Sequence, residues 1–286
     1  MKKVLVVLAT VLISCIFASS VFAAADIVFL VDESGSMSTE HAWLDGMVTS
    51  LDTELAAVGE TDVTYSLIGF GDYYVPGQVP YLHLNAGDLT AFTNATDDLE
   101  VSGGLEDGYA AIDFAFNNIN FTEGAAMNFI LITDEDRDVN TSYPGYAGLS
   151  YASILEDLTD ANALLNVVVD GTFSFEGQSL VGTGDEGYVA DGAGGYTTTG
   201  AADSLSGFYN TITDYVDLAL ETGGAAWDLN QLRAGGLTAD SFTNAFVDIK
   251  AEEIQEQQEP VPEPSTWLLM GTGLAGLAWY RRRKSA

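Results

Sequence analysis

The chain has 286 residues, with 42 acidic against nine basic side chains and a formal net charge of −33. Between Asp26 and Glu263 only Arg137, Arg233 and Lys250 oppose the acids, so the surface repels phosphate backbones and nucleic-acid binding is excluded. The single cysteine, Cys15, lies in an N-terminal stretch expected to be removed, which excludes disulfides, thiolate metal sites and a cysteine nucleophile from the mature protein.

Lys2 and Lys3, an apolar run from Val4 to Ile13 and the small-residue finish Val21-Phe22-Ala23-Ala24-Ala25 have the layout of a secretory signal over residues 1–24. Leu12-Ile13-Ser14-Cys15 has the outline of a lipoprotein cleavage box, although the apolar run continues past it to Phe22. Apolar runs at Asp26–Val31, Val63–Phe70, Val79–Leu84, Met127–Thr133, Leu164–Val169 and Ala225–Leu229 predict strands. Between and after them, helical periodicity predicts helices over Glu40–Val58, Leu89–Leu99, Asp107–Ile119, Tyr151–Ala163, Gly207–Leu220 and Thr238–Ile254.

Strands such as "NFILIT" and "LLNVVV" are apolar on both faces, as parallel strands covered on each side must be. The alternation predicts a doubly wound α/β domain over residues 26–255, with a mostly parallel central sheet and helices on both faces. A Gly-rich stretch near 172–200 has no helical period and predicts an inserted hairpin or long loop after the fifth strand.

In such sheets, sites form beyond the carboxyl ends of strands where strand order reverses. Asp32 ends the first strand and runs into Glu33, Ser34, Gly35 and Ser36; Asp134 ends the fourth. Two carboxylates and two hydroxyls converging there form an all-oxygen set suited to a hard cation such as Mg²⁺, with Mn²⁺ or Ca²⁺ as alternatives. Asp134, Asp136, Asp138 and Asn140 alternate like a calcium loop, but Val139 stands where an EF-hand needs Gly.

Asp32-Glu33-Ser34-Gly35-Ser36 placed after "IVFLV", with "FILITD" about 100 residues later, resembles the D-x-S-x-S motif of von Willebrand factor type A domains. The resemblance implies a Rossmann-like fold and a metal-ion-dependent adhesion site built from Asp32, Ser34, Ser36 and Asp134. A further loop ligand, threonine in many members, would come from "SGGLED". By position Ser102 takes that role, with Glu106 as the competitor; Glu106 alternatively structures the loop or caps the helix from Asp107.

After a polar linker at 256–261, Pro262-Glu263-Pro264, a short apolar segment from Trp267 to Tyr280 and Arg281-Arg282-Arg283-Lys284 resemble the PEP-CTERM sorting signal of Gram-negative bacteria, over 262–286. That resemblance implies an exosortase-type processing enzyme as partner, a transmembrane helix that anchors the precursor transiently in the inner membrane, and delivery to the outer surface or extracellular matrix.

No G-x-S-x-G, H-E-x-x-H, P-loop or G-x-G-x-x-G after a strand occurs, and Arg137 is the one basic residue expected near the carboxylates. The expected function is therefore non-enzymatic: adhesion or assembly through a metal-held acidic group of a partner protein or polysaccharide. The alternative is a structural matrix or surface-layer component whose metal only rigidifies the fold.

Overall fold

The computed structural model describes residues 24–71, 79–139 and 148–258. Its centre is β1 (Ala24–Asp32), where every side chain from Ile27 to Val31 is fully buried. Burial on both faces requires a layer above and a layer below. Ile27, Phe29 and Val31 pack with Leu44 and Leu51 of α1 (Ser38–Val58), Phe92 of α2 (Leu89–Thr96) and Phe242 and Phe246 of α7 (Gly236–Gln258). Val28 and Leu30 point the other way, towards Ile112 of α3 (Gly108–Asn118), Ile154 of α4 (Tyr151–Asp160) and Leu218 of α5 (Asp217–Glu221). Each such side chain contributes about 1.5–3 kcal/mol by leaving water, which is how a chain without disulfides holds together.

β1 pairs in parallel with β2 (Asp62–Phe70) on one side and β4 (Ala126–Thr133) on the other. β4 continues in parallel to β5 (Ala163–Val169) and then β12 (Ala226–Asp228), while β3 (Tyr81–Gly87) closes the opposite edge antiparallel to β2. The doubly wound, mostly parallel sheet expected from the alternation is thus present, and its order reverses between β1 and β4.

The stretch after β5 is neither a loop nor a single hairpin. It folds into six short strands, β6 (Gly171–Phe175), β7 (Gln178–Leu180), β8 (Gly182–Thr183), β9 (Glu186–Ala190), β10 (Tyr196–Gly200) and β11 (Ser204–Gly207). β8, β9 and β10 extend the main sheet antiparallel beyond β12, and β11, β6 and β7 form a second small sheet. Gly182 lies against the Trp227 ring so closely that a Cβ there would collide with it, which explains the glycine at that crossing.

The helix expected over Gly207–Leu220 is shorter than the periodicity implied: a π-helical turn, Ile212–Val216, leads into α5. α6 (Leu229–Arg233) is a single turn capped by Asp228, whose carboxylate accepts from the Asn230 amide at 2.9 Å. α7 runs three residues into the segment read as a linker. Its Gln257 amide donates to the carbonyls of Met127 and Asn162, and its Gln258 amide donates to that of Ala24 at 3.0 Å, fixing the end of α7 against the start of the sheet. Among the described residues no helix is long and apolar enough to cross a membrane, and the spanning segment expected at 267–280 lies outside them.

Candidate metal centre

The site begins where the β1 ladder runs out. Glu33 extends the pairing by one bond, donating its amide to Phe70 O at 2.8 Å, and the chain then turns. Asp32 Oδ1 accepts the Ser34 amide at 2.7 Å, a side-chain-to-backbone turn that short acidic residues form readily. Its other oxygen accepts the Thr133 hydroxyl at 2.8 Å, so β1 and β4 are joined at their carboxyl ends. The Ser34 and Ser36 hydroxyls lie 3.1 Å apart, and Ser36 Oγ donates to Asp134 Oδ1 at 2.9 Å. Asp32, Ser34, Ser36 and Asp134 therefore stand together at the switch point.

Glu33, the variable position of the motif, is buried rather than exposed. It accepts the Glu100 amide at 2.8 Å and contacts His83 Nε2 at 3.0 Å. Gly69 makes room for it, since a Cβ on Gly69 would overlap the Glu33 carboxylate. His83 thus has a polar partner in the fold, and His41 Nε2 sits 2.8 Å from the Asp32 carbonyl.

The loop from Ser102 to Glu106 docks against this turn, with the Ser102 amide donating to Glu33 O at 2.8 Å and the Gly104 amide to Gly71 O at 3.0 Å. Leu105 adopts φ of +111°, a conformation costing a side chain about 1–3 kcal/mol, and the next residue, Glu106, is buried. Glu106 lines a cavity of about 430 Å³ together with Ser34, Ser36, Glu135 and Asp138. Carboxylate oxygens of Glu106, Glu135 and Asp138 lie within 4.8 Å of one another.

Crowded acids at the base of a cleft resist ionisation. Burial, and then the Glu106 charge, push Asp32 up to about 8, despite the hydrogen bonds from Ser34 and Thr133. Glu106 is raised by burial and by the charges of Asp138 and Asp134, and Glu135 by burial and by its acidic neighbours, Glu106 foremost. Such a set is electrostatically incomplete without a cation. All its donors are carboxylate or hydroxyl oxygens, so the residues present fit a hard divalent ion.

A second basic residue, besides the Arg137 expected from the sequence, reaches the site. Arg137 is committed to Asp107, with contacts of 2.7 and 3.2 Å, and its guanidinium lies 4.4 Å from the centre of the Tyr109 ring. Arg233, at the end of α6, instead donates to Asp134 Oδ2 at 2.8 Å and to buried Glu40 at 2.6 Å. Sequence reasoning missed it because the two ends of the Arg233–Asp134 contact are 99 residues apart and belong to no recognisable spacing.

Residues 260–284 match the PEP-CTERM protein-sorting motif. That motif implies export, a membrane-anchored precursor and exosortase processing. No curated protein matches the chain at a significant level. Similar solved structures include BatB from Bacteroides thetaiotaomicron, at 13% identity over 82% of this chain and 98% of that one, with a TM-score of 0.49. The SpRpn10 VWA domain is 13% identical over 51% of this chain and 75% of that one, with a TM-score of 0.38. Proximal thread matrix protein 1 from the mussel byssus, solved with a zinc-occupied MIDAS motif, is 12% identical over 78% of this chain and 46% of that one, with a TM-score of 0.45. These neighbours include a VWA domain and a protein with a MIDAS motif, whereas the fold assignment rests on this chain's own sheet order and register.

Proposed function

We propose that the protein is an exported, non-enzymatic adhesion or assembly module that holds a divalent cation through Asp32, Ser34, Ser36 and Asp134, with Glu106 as the loop ligand. The observation that carries this reading is the convergence of two carboxylates and two hydroxyls from β1 and β4 at the switch point, beneath an open acidic cavity. A divalent cation bound there, Mg²⁺ first, supplies exchangeable coordination positions for an acidic group of a partner protein or polysaccharide.

The protein's own contribution is to fix the donors. Ser34 and Ser36 are neutral, so they add oxygen without cancelling the cation's charge. Thr133 and the Ser34 amide hold Asp32 in one orientation, and Ser36 holds Asp134. Glu106 moderates the pull on an external carboxylate, because a third negative ligand leaves less positive charge uncancelled. Residues 1–24 act as the export signal, 26–255 as the binding domain and 262–286 as the sorting signal with its membrane anchor. The host is a Gram-negative bacterium that displays the domain at its outer surface or in its matrix.

Calorimetric titration of the stretch 24–258 with Mg²⁺, Mn²⁺ and Ca²⁺, beside the double variant Asp32→Ala, Ser34→Ala, tests the site. One ion bound by the wild type and none by the folded variant is the expected result. Equal binding by both, or by neither, sinks the proposal and leaves a structural surface component.

A further inference from the structure

At the opposite end of the sheet lies a polar cluster that the metal centre does not use. Lys250 of α7 is completely buried, and its Nζ lies 5.6 Å from the Trp227 ring centre and 5.8 Å from that of Phe246. It contacts Oδ1 of Asn166, a fully buried residue of β5, and Glu253 Oε2 at 2.6 Å. The same Glu253 oxygen accepts Asn166 Nδ2 at 2.9 Å and Asn128 Nδ2 at 3.3 Å, and Asn128 Oδ1 accepts Asn166 Nδ2 at 2.9 Å. The Ala225 amide donates to Asn166 Oδ1 at 2.8 Å. That approach needs Gly224, where a Cβ would collide with the Leu165 carbonyl.

This is a complete set for acyl transfer. There is a nucleophile, a carboxamide whose oxygen is polarised by a backbone N–H, and one carboxylate touching both the attacking and the leaving nitrogen. We infer that Lys250 and Asn166 are joined by an intramolecular amide bond, formed by the folded protein itself with Glu253 carrying the proton.

The lysine ammonium gives a proton to Glu253, and the free amine attacks Cγ of Asn166. The developing oxyanion is held by the Ala225 amide; Glu253 passes its proton to Nδ2, then takes the surplus proton left on the newly bonded Nζ and passes it to the departing ammonia. The Nζ–Cγ bond forms and the Cγ–Nδ2 bond breaks. Nitrogen leaves as ammonium, carrying away the positive charge that Lys250 began with, and Glu253 ends as the carboxylate it was at the start. No oxidant or other reactant enters.

Two further observations support the step. Burial lowers Lys250 to about 8, opposed by the Glu253 charge, so the neutral amine is within reach near neutral pH. A cavity of about 250 Å³ bordered by Gly224, Ala225 and Glu253 gives ammonia a way out. Fixed contact between the reactants replaces the encounter that makes amide exchange slow in solution. The inference is independent of the metal reading.

The test is tandem mass spectrometry of proteolytic peptides from the full-length chain. The expected result is a branched species containing Lys250 and Asn166, lighter by one ammonia than the two peptides together. In Glu253→Gln, which keeps both partners, the two peptides should run separately at unaltered masses. Separate, unmodified peptides from folded wild-type protein would overturn the inference whatever the variant does. A branched species formed in Glu253→Gln to the wild-type extent would overturn the role given to Glu253.

Discussion

Arg233 offers the sharpest perturbation of the metal centre. Its guanidinium spans buried Glu40 and Asp134, so it both neutralises a carboxylate that has no other cation among the described residues and competes for one that the metal reading requires. Burial pushes Glu40 up, but the hydrogen bonds from Arg233 and Thr39 outweigh this and hold it below its ordinary value. Replacing Arg233 with Met strands the Glu40 charge. A fully buried pair broken this way costs about 3–5 kcal/mol, and with the arginine side chain 29% exposed the expected loss is about 2 kcal/mol. The metal site should respond in the opposite sense. Unit charges about 4 Å apart interact by about 1 kcal/mol in water and about 4 kcal/mol at an effective dielectric near 20. A half-wet cleft lies towards the lower figure, and about 1.4 kcal/mol corresponds to a tenfold gain in cation affinity. The double variant Arg233→Met, Glu40→Gln should recover most of the stability and keep the affinity gain. Denaturant midpoints and calorimetry with Mn²⁺ measure both quantities. Weaker cation binding in the stable double variant would show that Arg233 organises Asp134 for the metal, refuting the competition argument.

Two more outcomes follow from single side chains. Gly69→Ala forces a methyl into the space of the Glu33 carboxylate and should cost about 1–3 kcal/mol by denaturation, with at least tenfold weaker cation binding because Glu33 anchors the turn; unchanged binding would detach that anchor from the site. Asp228 is raised to about 6 by burial, and by the Asp170 charge, against hydrogen bonds from Gln231 and Asn230. A carboxyl that ionises later when folded lends stability that is fully present below about pH 4 and lost as pH rises through about 6. Asp228→Asn keeps the cap on α6 and should be more stable than wild type by about 2 kcal/mol at pH 8, with the gap closing towards pH 4. A gap that stays constant across that window would contradict the assignment.

The parallel strands were legible because Ile27–Val31 and Phe129–Ile132 are buried on both faces and so leave an unbroken apolar run. Asp32 and Asp134 were legible because the first follows such a run directly and the second lies one residue, Thr133, beyond its own. The strands after β5 were not. They are two to five residues long, too short for an alternation to rise above their glycines, and they are defined by pairings such as Val189 with Thr197 that only the fold brings together. Arg233 and Lys250 escaped for a related reason. Each is one cation in a polar stretch, and its meaning lies in Asp134 or Asn166, far away along the chain.

The hydrogen bonds from Gln257 to the carbonyls of Met127 and Asn162 set the direction in which the domain is loaded. Both described ends of the fold leave from one pole, and the acidic cleft sits at the other, a nine-residue strand or roughly 30 Å away. A tether attached beyond Gln258 therefore holds the cleft at the far tip. Tension between a captured partner and that tether runs along the strands, so it loads the packing of α7 on the sheet lengthwise and all at once rather than peeling the helix away turn by turn.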